Sequence, residues 1–354
     1  MSRSTEIVTD DPVPVAPLAR WLHTHVDEVS AASGTLRTER IAGGHSNLTY
    51  RIVDDAGVSW ALRRPPIGGV LATAHDMSRE WRFISALHPT PVPVARPVAY
   101  CADTDVIGAE FYVMGFVEGV VLGDDAAGAA YPEQARHPAG LAMVDVLADL
   151  HRVDPTEVGL GDLARPGSYL ERQLRRWLRQ AHASSVEDLS GIDAVHDLLL
   201  ARRPADQRTR IAHGDYRAGN LMVSPQGSVE AVLDWELATL GDPLADLGWL
   251  LMSWARPDDD EPAGVSGPSM QSGFPERAEL LGRYVERTGT PLDDATVGYY
   301  VAFAHWRSAC IGAGVYSRYA AGHMGEGAET AEVTRSRLGV LHAQVAAALR
   351  GLGG

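Results

Sequence analysis

The chain has 354 residues, of which 45% are hydrophobic and 22% are charged, a composition typical of globular proteins. This length allows two lobes, because a single hydrophobic core stops growing beyond about 250–300 residues. The 31 Lys and Arg residues against 46 Asp and Glu residues give a net charge of −15. That balance argues against a nucleic-acid partner, whose phosphates require a surface rich in Lys and Arg.

Cysteine content and hydropathy restrict the other classes of protein. Cys101 and Cys310 are far apart in sequence, so we expect free thiols in a reducing compartment, and no Cys/His cluster suggests zinc. No segment approaches the roughly 20 apolar residues that a membrane-spanning helix needs. The first residues include acids and prolines where a signal peptide would be basic and then apolar. We therefore expect a cytoplasmic location and no membrane partner.

The N-terminal part begins with a predicted arm and contains one glycine-rich loop. Residues 1–16 are polar and Pro-rich and are predicted to be flexible, and the helix after them is predicted to end near Gly34. Gly43 and Gly44 separate two strand-like segments within residues 41–53. Such a loop can bring backbone N–H groups close to phosphate oxygens, but an ordinary hairpin turn has the same pattern.

Further strands and one helix follow this loop. Residues 58–63 are predicted to form a strand, and residues 75–87 a helix that carries Glu80. A Pro-dense run that cannot be helical then leads into apolar strands near residues 98–101 and 111–117.

The second part of the chain is mainly helical by its hydrophobic period. Helices are predicted around residues 141–151, 169–178, 244–254, 293–319 and 330–349. The helix at 169–178 is basic on its outer face, which is typical either of a solvated surface or of a site for an anion. Residues 257–275 are irregular and long enough to form a lid on the substrate side.

The most informative stretch runs from His213 to Glu236. Two short apolar strands, at residues 221–223 and 229–233, flank a turn at Gly227, which predicts a hairpin. Folding this hairpin brings Asn220 opposite Asp234. A carboxamide oxygen and a carboxylate are hard ligands that suit Mg²⁺, which leaves Asp215 as a candidate base.

Five positions separate Asp215 from Asn220, as in the kinase pattern H-R-D-L-x-x-x-N. Here His-Gly-Asp replaces His-Arg-Asp, and Asp234-Trp235-Glu236 replaces Asp-Phe-Gly. Both changes resemble the aminoglycoside phosphotransferase and choline kinase superfamily of small-molecule kinases. The string Leu233-Asp234-Trp235-Glu236, with Gly241-Asp242-Pro243 and Asp246-Leu247 after it, resembles the branch related to the kinase-like part of acyl-CoA dehydrogenase fusion proteins. An acidic surface hairpin without chemistry is the alternative.

This resemblance implies an α+β, bilobal, protein-kinase-like fold. The expected divisions are an N-lobe with an antiparallel sheet and one inner helix, a hinge, and a mainly helical C-lobe with the catalytic loop and the acceptor site. They correspond to residues 17–114, 115–119 and 120–354, after the arm at 1–16.

The resemblance also implies roles for residues outside the hairpin. Ser46 and Asn47 would face the nucleotide, and Arg63 would take the place of the kinase Lys, with Glu80 as its partner and Arg64 as a competing candidate. The hinge residues that would meet the adenine are Met114, Phe116 and Val117. His213 would support the catalytic loop, and Asp242 and Asp246 would brace it. The substrate-side candidates are His305, Arg307 and Arg318.

The expected reaction moves the γ-phosphoryl group of ATP to a hydroxyl group of a small molecule, with ATP and Mg²⁺ as cofactors. Asp215 would orient and deprotonate the hydroxyl, while Asn220 and Asp234 would hold Mg²⁺. A hydroxyacid or hydroxyacyl acceptor ranks first, ahead of an aminoglycoside-type antibiotic. A nucleotide-binding pseudokinase without turnover is the alternative from another class, because Arg63 departs from the kinase pattern.

Overall fold

In a computed structural model of the chain, the described residues are 13–27, 29, 36–41, 47–66, 76–205, 209–257, 259, 267–321 and 331–353. The chain forms two compact units. The first holds the described residues up to Glu118 together with a later segment, Glu230–Leu237. The second holds Gly119–Val229 and the described residues from Ala238 onward.

The first unit is built on a five-stranded sheet. Its elements are α1 (Val15–His25), β1 (Arg37–Ile41), β2 (Leu48–Val53), β3 (Ser59–Arg64), α2 (Met77–Leu87), β4 (Pro97–Cys101) and β5 (Phe111–Gly115). The strand order is β1-β2-β3-β5-β4, and every neighbouring pair is antiparallel. This agrees with the antiparallel sheet and the single inner helix expected for an α+β fold.

Alternation along the strands assigns each side chain to one face of this sheet. Ile52, Trp60 and Phe111 lie on the face that shares a core with α1. Arg63 and Tyr112 are register partners on β3 and β5, and both project to the opposite face, where α2 packs. The register therefore presents polar side chains to the inner helix.

The helices of this unit differ from the sequence prediction at their ends. The first helix ends at His25 and not near Gly34, because Val26 leaves the helical region with φ −129° and ψ 102°. The inner helix begins at Met77, where Asp76 accepts a hydrogen bond from the backbone N–H of Arg79 at 2.9 Å and caps the helix. Sequence periodicity alone did not locate these caps.

The second unit is mainly helical. Its elements are β6 (Val120–Val121), α3 (Asp125–Ala130), α4 (Glu133–Arg152), α5 (Tyr169–His182), α6 (Ser190–Ala201), β7 (Arg210–Ala212), β8 (Leu221–Val223), β9 (Val229–Val232, which continues into the first unit), β10 (Thr239–Gly241), α7 (Leu244–Ser253), α8 (Arg277–Thr288), α9 (Asp294–Ala320) and α10 (Ala331–Gly351). The short strands pair as β7 with β10 and β6 with β8.

The longest helix, α9, is central to the second unit, because α5, α6, α7 and α10 all pack against it. The helices predicted at 244–254, 293–319 and 330–349 are found within two residues of those bounds. Within the predicted lid, residues 258 and 260–266 lie outside the described residues, so a lid stays a prediction. Among the described helices, none combines the length and the apolar character required to cross a bilayer.

Candidate active site

A buried carboxylate organises the polar face of the first unit. Glu80 belongs to the core-facing side of α2 and is only 1% exposed. Its Oε1 accepts a hydrogen bond from Asn47 Nδ2 at 2.7 Å, and its Oε2 accepts one from the Tyr112 hydroxyl at 2.8 Å. Arg63 Nε lies 2.9 Å from Oε2 and completes the expected ion pair. Charge and two neutral donors together compensate the burial of Glu80.

Arg63 also holds a second carboxylate, because its Nη2 donates to Asp234 Oδ1. Burial opposes the charge of this guanidinium, but Tyr112, Glu80 and Asp234 keep its pKa above the ordinary range. The pKa of Glu80 is raised above its ordinary value by burial, against the opposing effects of the Arg63 charge and the Tyr112 hydrogen bond. Arg63 is thus a fixed cation between two acidic side chains.

Asp234 is held in the first unit by the residues around it. The backbone N–H of Val232 donates to Pro93 O at 2.8 Å, and the Trp235 ring stacks on Phe83 of α2 with centroids 6.3 Å apart. Asp234 has a φ of 63°, which makes it the one non-glycine residue with positive φ in the described part of the chain. Such a backbone is rare outside glycine and frequent at functional positions.

The structure separates the two arginine candidates. Arg64 projects to the opposite face of the sheet and is fully buried. It donates to Pro65 O at 3.1 Å and to the Tyr50 hydroxyl at 3.2 Å, with its guanidinium 5.4 Å from the centroid of the Tyr50 ring. Arg64 therefore belongs to the core beside α1, and Arg63 is the better candidate for phosphate.

The other nucleotide-side candidates have these positions. Ser46 lies outside the described residues. Asn47 is turned toward Glu80, and its buried Oδ1 has no hydrogen-bond partner within the described ranges. Met114 is on β5, opposite Ala61 and Pro97. Phe116 lies under the Arg51 guanidinium, which is 4.5 Å from its ring centroid, and Val117 is half-buried. Contact of these residues with a nucleotide stays a prediction.

In the second unit, the catalytic loop is fastened to the first turn of α7. Asp246 Oδ2 accepts the backbone N–H of His213 at 2.6 Å, and its Oδ1 accepts the N–H of Gly214 at 2.9 Å. Gly214 has a φ of 85°, a conformation that glycine adopts readily and most other residues do not. The positive φ at position 214 suits a glycine where protein kinases have Arg. The two hydrogen bonds to Asp246 confirm that it braces the catalytic loop, as expected.

Two histidines support this anchor. His151 Nε2 lies 3.6 Å from Asp246 Oδ2, while its Nδ1 is 2.8 Å from the Tyr284 hydroxyl. Burial works to raise the pKa of Asp246, but the hydrogen bond and charge of His151, with His213 and Gly214, bring it below the ordinary value. His213 Nδ1 accepts the backbone N–H of Asp215 at 3.2 Å. The supporting role expected for His213 agrees with this contact.

Asp215 and Asn220 form a clamp. Asn220 Nδ2 donates to the backbone oxygen of Asp215 at 2.8 Å and to its Oδ2 at 2.7 Å. Arg217 Nε is 3.5 Å from the same Oδ2. Since both bonds use the amide nitrogen, the amide oxygen of Asn220 remains for a cation. The half-buried Asp215 carboxylate is oriented without being enclosed.

Asp242 braces the turn that precedes α7. Its Oδ1 accepts the N–H of Leu244 at 3.0 Å, and its Oδ2 accepts the Tyr300 hydroxyl at 2.5 Å. The residue before it, Gly241, packs directly on the ring of Tyr169, and a Cβ there would lie 2.2 Å from Tyr169 Cδ2. Only glycine allows this approach.

The three substrate-side candidates on α9 differ in their surroundings. His305 Nδ1 bonds Gln344 of α10 at 2.6 Å, and burial lowers its pKa. Arg307 is buried, with its guanidinium carbon 4.9 Å from the ring centroid of Trp177 and 4.4 Å from that of Trp249. Arg318 is exposed. His305 therefore joins α9 to α10, which favours a packing role. Arg307 is unusual because an arginine is rarely buried between two tryptophan rings.

The donor chemistry is compatible with magnesium. Within the described ranges, no group of three or more His, Cys, Asp or Glu side chains has the arrangement of a metal site. A magnesium ion needs fewer protein ligands, because water and phosphate oxygens complete its shell. Asn220 in the second unit and Asp234 in the first each carry a hard oxygen of the kind that Mg²⁺ prefers.

Comparison with known proteins assigns the family. Residues 37–280 match the model of the phosphotransferase enzyme family. The chain belongs to this family. A protein of Ralstonia eutropha JMP134, described as a candidate aminoglycoside phosphotransferase, has a crystal structure that matches with a TM-score of 0.75 and 32% identity, over 94% of this chain and 98% of that one. The choline kinase of Cryptosporidium parvum matches with a TM-score of 0.65 and 12% identity, over 95% and 96% of the two chains, which shows the kinase-like fold.

Curated relatives are longer than this phosphotransferase-family chain. Acyl-CoA dehydrogenase family member 11 of Homo sapiens is 31% identical over 309 residues, or 86% of this chain and 39% of that protein. Acyl-CoA dehydrogenase family member 10 of Mus musculus is 32% identical over 299 residues, or 81% and 27%. The chain spans about two fifths or less of the length of these relatives. The resemblance to this branch is confirmed.

Some residues of the site were not found from the sequence. Tyr112 lies in a stretch that the sequence predicts only as an apolar strand, although its hydroxyl bonds Glu80. Trp177 and Trp249 lie in predicted helices, and hydrophobic period does not distinguish them from other packing residues. One signal was available: Glu80 falls on the apolar stripe of α2 with Met77, Phe83 and Leu87, which places a carboxylate in the core.

Proposed function

We propose that this chain is a small-molecule kinase that uses ATP and Mg²⁺ to phosphorylate a hydroxyl group. The observation that carries the proposal is the clamp between Asn220 and Asp215. It orients a half-buried carboxylate and leaves an amide oxygen for a cation, which are the two tasks that phosphoryl transfer assigns to such a pair.

The roles follow from the contacts in each unit. Asp215 accepts the proton of the acceptor hydroxyl as that oxygen bonds to the γ-phosphorus, and the bond from the γ-phosphorus to the bridging oxygen of ADP breaks. Asn220 and Asp234 are the proposed ligands of Mg²⁺, which when bound supplies charge neutralisation and orientation of phosphate oxygens. Arg63 supplies a fixed positive charge, since Glu80 and Asp234 hold its guanidinium.

The nucleotide side of the site is proposed from the same family pattern. Ser46 and Asn47 would face the phosphates, while Met114, Phe116 and Val117 would border the adenine. A nucleotide-protection experiment, such as hydrogen exchange with and without ATP and Mg²⁺, tests this assignment. Slower exchange at residues 114–117 is the expected result.

The proposed acceptor is a hydroxyacid or hydroxyacyl compound. Two observations support it over a cationic antibiotic. The relatives share the name of acyl-CoA dehydrogenases, and α9 carries Arg307 and Arg318 on the acceptor side implied by the family. An anionic acceptor would require such cations.

The test measures ATP consumption with Mg²⁺ in the presence of hydroxyacid, hydroxyacyl, choline and aminoglycoside acceptors. Asp215→Asn is expected to lower turnover by about 10²–10⁴-fold while the nucleotide still raises the melting temperature. Asp293→Asn, which alters only the N-cap of α9, is the matched control and should retain turnover. Nucleotide binding without turnover for any acceptor would support the pseudokinase. A protein that neither binds nor is stabilised by ATP and Mg²⁺ would refute the kinase.

A further inference from the structure

Arg307 is a buried cation whose Nε has no acceptor among the described residues. It is 5% exposed, its Nε is buried without a hydrogen-bond partner, and none of the described carboxylates forms an ion pair with it. Arg136, which is 8% exposed in the same unit, shows the usual alternative. Its three kinds of nitrogen donate to the backbone oxygens of Tyr131, Ser272 and Ala129 at 2.8–3.3 Å. A buried guanidinium normally has such acceptors, so the Nε of Arg307 is prepared for one that the described residues do not supply.

The neighbours of Arg307 are aromatic and cationic. The rings of Trp177 and Trp249 stabilise its charge through their faces, but they accept nothing from N–H bonds that lie in the guanidinium plane. Arg176 lies over the same Trp177 ring, 4.9 Å from its centroid. Burial and then the charges of Arg307 and Arg165 lower the pKa of Arg176, because like charges crowd this region. An anion would relieve that repulsion.

The two acidic side chains whose charges act on the neighbouring Tyr169 are committed elsewhere. Asp246 accepts the N–H groups of the catalytic loop, and Asp242 accepts Leu244 N–H and the Tyr300 hydroxyl. Burial raises the pKa of the Tyr169 hydroxyl, and the charges of both acids and of Arg307 and Arg176 also act on that pKa. The Tyr169 ring packs on Gly241 beside Asp242. Tyr169 thus lies near Arg307 and Arg176 and near Asp246, the residue that fastens the loop carrying Asp215.

We propose that Arg307 and Arg176 bind the carboxylate of an anionic ligand, with Trp177 and Trp249 flanking the Arg307 guanidinium. The planar fork of a guanidinium matches a carboxylate in two parallel hydrogen bonds. The inference rests on the proposed function only in assigning this carboxylate to the phosphoryl acceptor. It gives the acceptor a charge and names the residues that select it.

The test compares butyrate with its neutral analogue butyramide on the full-length protein, without nucleotide and at matched ionic strength. Calorimetry and thermal shift are expected to give butyrate an affinity at least about 10-fold higher, from charge-assisted hydrogen bonds. In Arg307→Met the two ligands should bind equally weakly. Equal affinities in the wild type would overturn the proposal. Binding of inorganic phosphate through Arg307 without binding of butyrate would overturn the carboxylate in favour of a phosphate.

Two variants separate binding from folding. Arg307→Lys retains the charge and loses the fork, so butyrate affinity should fall about 10-fold. Unchanged affinity in that variant would contradict the proposal even if Arg307→Met did not fold. Arg283→Met is the matched control, because Arg283 pairs with Asp145 at 2.7 and 3.0 Å in the same unit. It should retain butyrate binding.

The two proposals can fail separately. If no acceptor stimulates ATP consumption but butyrate binds through Arg307, the kinase function fails and the anion site stands. If 3-hydroxybutyrate and the neutral 1,3-butanediol are phosphorylated with equal kcat/KM, and Arg307→Met leaves both values unchanged, the anion site fails and the kinase stands.

Discussion

Replacing Arg63 by Met tests how the buried carboxylate of Glu80 is compensated. The change removes the only cation that pairs with Glu80 within the described residues and leaves it the neutral donors Asn47 and Tyr112. Removing one partner of a buried ion pair costs about 3–5 kcal/mol, because the remaining charge stays buried. For a protein of this size that loss lowers the melting temperature by roughly 10 °C.

The double variant Arg63→Met with Glu80→Gln supplies the decisive comparison. Gln accepts at one atom, stays uncharged and has nearly the volume of Glu, so most of the lost stability should return. Thermal unfolding at pH 7, followed by circular dichroism, measures both variants. Equal losses in the single and double variants would refute the idea that an uncompensated charge causes the defect.

The same prediction has a pH dependence of known sign. The pKa of Glu80 in the folded protein lies above its ordinary value of 4.5, and loss of Arg63 raises it further. Between 4.5 and that higher pKa, the folded state binds the proton more readily than the unfolded state does. The stability of Arg63→Met therefore rises as the pH falls through this window, and its deficit against the wild type shrinks. A deficit that is constant from pH 7 to pH 5 would contradict the reasoning.

Three further predictions concern the second unit. Asp246→Asn offers one acceptor oxygen to the two N–H groups of His213 and Gly214. We expect the free energy of unfolding in urea to fall by about 1–3 kcal/mol and turnover to decrease. Unchanged turnover would show that catalysis does not depend on this contact. Gly241→Ala places a Cβ 2.2 Å from Tyr169 Cδ2 and should cost about 1–3 kcal/mol, whereas Gly282→Ala, in α8 with open space around it, should stabilise by about 0.5–1 kcal/mol in the same assay. His305 has a pKa below its ordinary value of 6.5, so the unfolded state binds more protons in that range and stability falls as the pH drops below 6.5. His305→Gln should flatten this part of the melting-temperature profile, and an identical slope would refute the assignment.

The order of the elements and the loop chemistry could be predicted because they depend on local sequence. Hydrophobic period located the helices α7, α9 and α10 to within two residues, whereas α4 begins at Glu133, eight residues before its predicted start, and α3, α6 and α8 were not predicted. The spacing from Asp215 to Asn220 indicated the catalytic loop before its hydrogen bonds were known. The pairing of Arg63 with Glu80 was also expected, but from the resemblance to the kinase family and not from local sequence.

The remaining partners depend on tertiary packing. Tyr112 reaches Glu80 only because β5 pairs with β3 in one particular register, and no local pattern specifies that register. The aromatic surroundings of Arg307 come from α5 and α7, whose tryptophans are 130 and 58 positions away along the chain. The helix that ends at His25 was predicted too long because apolar spacing continued past the residue where the backbone becomes extended.

The segment Glu230–Leu237 has a consequence for dissecting the protein. Because the first unit takes back these eight residues, the chain passes between the units three times, and no single cut yields two complete pieces. A fragment that begins at Gly119 would carry Asp234 and Trp235 without Arg63 and Phe83, their partners in the first unit. A fragment that ends at Glu118 would present the α2 ring of Phe83 without the indole that stacks on it. Neither unit is therefore one continuous stretch of chain. To study the first unit alone, an experiment would have to join residues 230–237 to the fragment that ends at Glu118.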